Sequence, residues 1–258
     1  MDALIKTTIN NRIGYITLCR AEKRNALNDY VVLQLTEALV SMYNNEQVKV
    51  IQLRAEGEVF SAGADLHYLQ QLQTNTFEEN LADSAQLAAL FRMIYAGPKV
   101  VVAAIQGHAI AGGCGLATVC DISLSVPEAL FGYTEVKIGF VPAIVMVFLI
   151  RKIGETKARE LMLSGKLISA ADAVHIGLIN EVVERDMLYQ LADTCCLQLI
   201  QEASGDSVRR IKQMFAEIRH LPLADALEYA ARQNAETRAT PDCKKGITSF
   251  LNKQKINW

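Results

Sequence analysis

The sequence has no apolar run long enough to cross a bilayer. Its longest, Ile138 to Ile150, is interrupted by Gly139 and Pro142 and reads as a buried helix. The opening segment MDALIKTTINNRIGYITLCR has polar residues every few positions and no apolar centre, so no secretory signal is expected in it. Cys19, Cys114, Cys120, Cys195, Cys196 and Cys243 form no C-x-x-C pair and no Cys/His cluster at zinc-ligand spacing. Free thiols in a cytoplasmic setting and no metal are the expectation. Long basic clusters are missing too. A formal net charge of -2 argues against nucleic acid as the main partner, although local pairs such as Arg151-Lys152 suit a phosphorylated ligand.

What the chain has is apolar content. Its 258 residues are 51% hydrophobic, enough to bury a large core in one domain or one domain with an appendage. It is organised around Lys99 to Asp121, KVVVAAIQGHAIAGGCGLATVCD. Val100 to Ile105 reads as a buried strand, Gln106-Gly107-His108 breaks it, and the small residues Ala109, Ala111, Gly112 and Gly113 lead into an apolar helix. Small residues at such a turn let a ligand approach the main chain, and the unpaired N–H groups of a helix's first turn attract an oxygen carrying negative charge. Close packing alone produces the same pattern.

Ile5 to Ile9 and Ile13 to Leu18 alternate as two strands, with Asn10-Asn11 as hairpin turn. A polar, basic loop follows, Arg20 to Asn28 (RAEKRNALN), then a helix from Asp29 to Asn44 with Val32, Leu35, Leu39 and Met42 on one face. Lys49 to Leu53 predicts a strand, and Phe60 to Leu66 (FSAGADL) a second small-residue loop entering a helix near Asp65. The rhythm returns with strands at 100–105 and 121–126 and helices starting near Ala111 and Pro142. It predicts a mixed α/β stack of β-β-α turns more than one doubly wound sheet. Beyond Ser169, helices are predicted over Ala170 to His175 and Met187 to Glu202, and a strand over Leu178 to Val183. From Ser207 onward a helical appendage with one break at Pro222 is expected.

Motifs in a fixed order carry a family resemblance over essentially the whole chain: RNALN, FSAGADL at 60–66, QGHAIAGGCGLATVCD at 106–121, FGYTEVKIGFVP at 131–142 and SAADAVHIGLINEVV at 169–183. With these the chain resembles the crotonase (enoyl-CoA hydratase/isomerase) superfamily. The resemblance implies a crotonase-type spiral of β-β-α units over 1–195, a C-terminal helical trimerisation region over 196–258, and a homotrimer or dimer of trimers. It also implies an acyl-CoA or acyl-carrier-protein thioester as substrate, coenzyme A being part of that substrate, with no separate cofactor and no membrane partner.

Reactions through a thioester enolate need negative charge stabilised on the carbonyl oxygen, and two preorganised backbone N–H donors supply that. By resemblance the donors are Ala64 and Gly112, although Ala64 alone also reads as an ordinary tight turn. The resemblance makes Glu135 the acid/base group; an apolar surround would raise its pKa toward neutrality. The plainer reading is a surface glutamate paired with Lys137. The implied CoA arm runs along Lys23, Arg24, Ala26 and Leu27, with adenine near Ala62 and the main chain of Ala64, Asp65, Leu66 and His67 beside it. Lys23 and Arg24 suit its phosphates, or form a solvated basic turn. Gly113, Gly115 and Pro142 would border the acyl group, and Phe250 and Lys253 mark the helix through which a neighbouring subunit would complete the CoA site.

Two departures from the family pattern bear on the reaction. Where well-studied hydratases of this superfamily place a second glutamate, this chain has Gly115, so water must be held by Glu135 alone or with His108 or Tyr133. Otherwise His108 reads as a loop residue satisfying backbone groups and Tyr133 as packing. Where many relatives carry Pro-Gly-Gly-Gly, this chain has Pro142-Ala143-Ile144-Val145, whose bulk either reshapes the acyl pocket or fills the core. Gly115 with Thr134-Glu135 and Val141-Pro142-Ala143 resembles the branch that interconverts 3-methylglutaconyl and 3-hydroxy-3-methylglutaryl thioesters. The expectation is a single-glutamate hydro-lyase. A double-bond isomerase, a carrier-protein-linked dehydratase or decarboxylase of polyketide β-branching, and a catalytically silent acyl-CoA-binding subunit stay open.

Overall fold

The computed structural model describes residues 3–256 and 258. Strands β1 (Ile5–Asn10) and β2 (Ile13–Leu18) form the antiparallel hairpin. Its turn falls on Asn11 and Arg12, both left-handed with φ of 48° and 65°, one residue later than the asparagine pair suggests. Helix α1 (Asp29–Asn44) begins where the Asn28 side chain accepts the Val31 N–H, and it buries the predicted face. After β3 (Val50–Ala55) come α2 (Leu66–Leu72) and a separate α3 (Phe77–Ala96), which the sequence reading did not single out. A capping box between Thr76 and Glu79 starts it.

Strand β4 (Val100–Ile105) is buried at every position, as a strand covered on both faces must be. It is followed by β5 (Ala109–Ile110), α4 (Gly112–Val119), β6 (Ile122–Ser125), β7 (Leu130–Gly132) and α5 (Ala143–Ser164). Then come β8 (Ile168–Ser169), α6 (Ala170–His175), β9 (Glu181–Val182), α7 (Leu188–Glu202), α8 (Gly205–Glu217), α9 (Leu223–Arg238) and α10 (Pro241–Leu251). The strand expected over 178–183 is confined to its last part, because Gly177 is left-handed and Leu178 and Ile179 turn back onto Ala173.

The strands make a large sheet ordered β1-β2-β3-β4-β6-β9, parallel beyond the first hairpin, and a small sheet ordered β5-β7-β8. A bridge between Ser61 and Ala109 extends the small sheet by one position. Each turn of the chain thus gives one long strand to the first sheet (β3, β4, β6), a short stretch to the second (Ser61, β5, β7), and then a helix. This is the expected β-β-α spiral, and it brings the three loops that follow the short stretches to one end of the molecule. Helix α7 packs on β3 and β4 from the other side.

The run from Ile138 to Ile150 is not one buried helix. The chain makes a 3-10 turn over Glu135–Ile138 and passes through left-handed Gly139 (φ 74°) before α5 starts after Pro142. Proline fixes φ and has no N–H to donate, so it ends the irregular segment at the start of a helix. Ile138, Phe140, Val141, Val147 and Ile150 lie exposed. Farther along, Lys212 of α8 is buried and donates to Ile94 O at 3.0 Å, Lys99 O at 2.8 Å and Asp121 Oδ2 at 2.7 Å, fastening the C-terminal helices to the end of α3. All six cysteines are free thiols.

Candidate active site

The first two small-residue loops lock together through main-chain bonds. Leu27 N–H donates to Gly63 O at 2.7 Å and Asp65 N–H to Leu27 O at 2.8 Å, a parallel bridge that turns the N–H of Ala64 to the opposite side. Ser61 N–H donates to His108 O, and Ile110 N–H donates to Ser61 O at 3.0 Å. Gly63 has φ 87°, and a Cβ placed there would lie 2.6 Å from Ala111 Cβ and 3.0 Å from Gly112 N. Only glycine fits this contact.

Ala111, which precedes α4, has φ 51° and ψ -125°, and its N–H is held by Gly132 O at 2.7 Å. A non-glycine residue in such a conformation costs about 1–3 kcal/mol, so the surrounding bonds must impose it. The result places the start of α4, at Gly112, against the loop that carries Ala64. The position a Cβ would take on Gly112 is 3.9 Å from Ala64 N and 3.5 Å from Leu27 Cδ1. Among the described residues neither the Ala64 nor the Gly112 N–H has a protein acceptor. Two main-chain N–H groups without a protein acceptor therefore lie at one contact between loops, one of them at a helix start whose dipole favours negative charge.

Glu135 enters from the third loop. It follows β7, which pairs with β5, so its backbone is fixed beside the Ala111-Gly112 turn. The side chain is half-buried, and its Oε2 is buried without a hydrogen-bond partner. Burial raises its pKa above the usual carboxylate value, only partly offset by a hydrogen bond from its own N–H. Among the described residues it makes no ion pair, with Lys137 or any other cation, so the surface-pair reading fails. Beside it, burial pushes the Cys114 thiol up to about 12, which keeps it protonated and unreactive.

The neighbouring polar residues are occupied. The Tyr133 hydroxyl is buried and lies 2.6 Å from Thr118 Oγ1, which donates to Cys114 O, so Tyr133 is packing. His108 Nδ1 accepts the Leu130 N–H at 3.1 Å, the backbone-satisfying role the loop reading gives it.

Asn25, from the RNALN motif, is a scaffold residue that sequence reasoning did not single out. Its Nδ2 donates to Glu56 O and Val59 O, its Oδ1 accepts the Arg20 N–H, and its carbonyl accepts Ser61 Oγ. The signal was there in principle: a short polar residue able to sit at φ 52° inside an otherwise basic loop.

Lys23, Arg24, Leu66 and His67 are exposed, Ala62 and Ala64 half-buried, and Ala26 and Leu27 buried beneath the loop. The Asp65 side chain points inward, accepting the His67 N–H and pairing with Arg20. Gly113 is buried against the Ser61 carbonyl, where a side chain would collide, and Gly115 is buried against Val145 and Phe91. Pro142 is buried at the start of α5. Phe250 and Lys253, on α10 and just after it, are exposed.

One sequence expectation is corrected. Lys152 is not a phosphate site: it is turned inward and donates to Thr118 O at 3.0 Å and Cys120 O at 2.9 Å, satisfying carbonyls at the end of α4, while Arg151 bonds Val147 O of its own helix. A cleft of about 810 Å³ at the other end of the large sheet gathers Arg12, Lys49 and Lys99. Lys49 and Lys99 likewise bond helix-end carbonyls, those of Ile200 and of Met42 and Asn45. Among the described residues no group of His, Cys, Asp and Glu could hold a metal ion, and no helix is long and apolar enough to cross a membrane.

Known proteins resemble this chain over nearly its whole length. A Thermus thermophilus protein named "Putative enoyl-CoA hydratase" is 38% identical over 242 residues, covering 94% of this chain and 95% of the relative. The crotonyl-CoA hydratase of Syntrophomonas wolfei is 30% identical over 249 residues, covering 96% and 94%. The crystal structure of an enoyl-CoA hydratase from Shewanella pealeana superposes with a TM-score of 0.93 at 28% identity, covering 99% of this chain and 96% of that one. The model of the enoyl-CoA hydratase/isomerase family matches residues 8–258, and this chain belongs to that family.

Proposed function

We propose that this chain adds water to, or removes it from, an acyl-CoA thioester through an enolate, with Glu135 as the only proton carrier. The observation that carries this is the buried, unpartnered Oε2 of Glu135, together with the main-chain N–H groups of Ala64 and Gly112, which have no protein acceptor among the described residues. A buried acceptor without a partner is costly, and a substrate proton or a water would satisfy it. In the forward direction the thioester oxygen is received by Ala64 and Gly112 N–H, each worth roughly 100- to 1000-fold in rate. Water held by Glu135 attacks C3, its proton passes to the carboxylate, and the resulting carboxylic acid returns that proton to C2. A C–O and a C–H bond form while one O–H of water and the C2–C3 double bond are lost, so no redox partner or cofactor enters.

Exposed Lys23 and Arg24 suit the CoA phosphates, and the exposed apolar residues Ile247, Phe250 and Leu251 on α10 suit a contact with a neighbouring subunit in a trimer. The absent second carboxylate and the β-branched Ile144 and Val145 support a methylglutaconyl-type acyl group; the free cysteines suit a cytoplasmic setting. A double-bond isomerase is the second reading. It is favoured by the apolar wall of Val145 and Phe91 at Gly115, because moving a proton between carbons needs one base and no water. Incubation with crotonyl-CoA, 3-methylglutaconyl-CoA and a 3-enoyl-CoA, with products followed by mass, separates the two. Hydration of 3-methylglutaconyl-CoA is expected; isomerisation of the 3-enoyl thioester with hydration of none would establish the second reading.

A further inference from the structure

Helices α3, α4 and α5 meet at Gly115. It follows Gly112 by one helical turn and shares its face of α4, so it lies directly behind the donor end of the site. A Cβ at Gly115 would come closer than 3.0 Å to both Val145 Cγ1 and Phe91 Cε2. Val145 is 4% exposed and Phe91 is fully buried, and Phe91 is braced edge-on by Phe148 with ring centroids 6.2 Å apart. The volume that a side chain at position 115 would enter is already filled from the facing helices. Polar groups near this wall are satisfied among themselves, Tyr133 on Thr118 and Thr118 on the Cys114 carbonyl. Nothing at 91, 115 or 145 can accept or donate a hydrogen bond through its side chain.

Resting on the enolate reading above, we infer that Val145, backed by Phe91, is a specificity-determining residue. Its side chain keeps water and any second proton carrier out of the volume behind Gly112, so water reaches the acyl group only through Glu135. The same carboxyl also serves proton return between carbons, in which a C–H bond is broken and another formed with no bond to oxygen. The apolar wall therefore sets the balance between hydration and isomerisation.

The test is Val145→Thr, close in shape but carrying a hydroxyl, with Val145→Ala as a second variant. The readout is the rate of enoyl-CoA hydration relative to the rate of 3-enoyl-CoA isomerisation, with melting curves to show that each variant folds. The ratio is expected to rise about two- to tenfold in Val145→Thr, the worth of one added hydrogen bond to water. Folded variants with the wild-type ratio would overturn the inference while leaving the enolate reading intact. A wild-type chain inert toward every thioester would remove that reading and the inference with it. The filled volume has its own check: Gly115→Ala should lower the melting temperature, and Val145→Ala in the same chain should restore part of the loss. Simple additivity of the two losses would also overturn it.

Discussion

The guanidinium of Arg20 lies 2.8 Å from the carboxylate of Asp65, with only 14% and 10% of the two side chains exposed, and this pair joins the loop at 20–28 to the loop that carries Ala64. Burial pushes the Asp65 carboxyl up, but Arg20 and the N–H groups of His67 and Tyr68 outweigh it and leave the pKa below its ordinary 3.8. The pair's contribution is therefore complete above that value and is lost as pH falls through the lowered one. Arg20→Met is expected to cost about 1.5–3 kcal/mol at neutral pH and to flatten this acid dependence, measured by urea unfolding from pH 7 downward.

Glu135→Gln should reduce turnover of every active thioester by about 100- to 10,000-fold while the protein stays folded. In the wild type the acidic limb of kcat/KM should lie above the ordinary carboxylate value of 4.5, because burial raises this group and the base must be ionised to accept a proton. The sign for stability is opposite to that of Asp65. Folding favours the protonated form, so between 4.5 and the raised value this group's contribution falls as pH rises, and the glutamine variant lacks that slope.

Gly63→Ala tests the contact between the first two loops. The added methyl would meet Ala111 Cβ at 2.6 Å and must push Ala64 away from Gly112. Turnover is expected to fall by about 100-fold, the usual penalty for displacing a catalytic group by about 1 Å. Circular dichroism should show the helices intact.

Lys212→Met would leave the half-buried Asp121 carboxylate without its paired cation. Loss of one partner of a buried pair costs about 3–5 kcal/mol, and Asp121→Asn, which leaves Lys212 its bonds to Ile94 O and Lys99 O, should cost less. Denaturant midpoints of the two variants rank them. An equal or reversed ranking would mean that the ion pair with Asp121, not the cation's bonds to Ile94 O and Lys99 O, holds α8 in place.

The parts of the fold legible in the sequence are those with a clear apolar pattern: β4, the hairpin strands and α1 follow from the spacing of their apolar residues. Strands as short as β5, β7 and β8 leave no periodic trace, since two or three residues cannot display an alternation. The Ile138–Ile150 run misleads because apolar content alone cannot tell burial within one chain from an exposed surface. At the site, glycine and alanine loops announce main-chain donors, and Glu135 is recognisable by its motif. What stays hidden is contact across the sequence. That Val145 fills the room left at Gly115, or that Asn25 ties three segments together, depends on the distance between helices and loops, which no local pattern encodes.

The amide groups of Ala64 and Gly112 belong to the polypeptide itself, and an amide survives every codon change except one to proline. Under the proposed reaction, side-chain changes can therefore alter the acyl lining at a cost in packing, yet they reach the proposed charge-receiving pair only by bending the loops that present it. A descendant with a new acyl preference would inherit that pair unaltered.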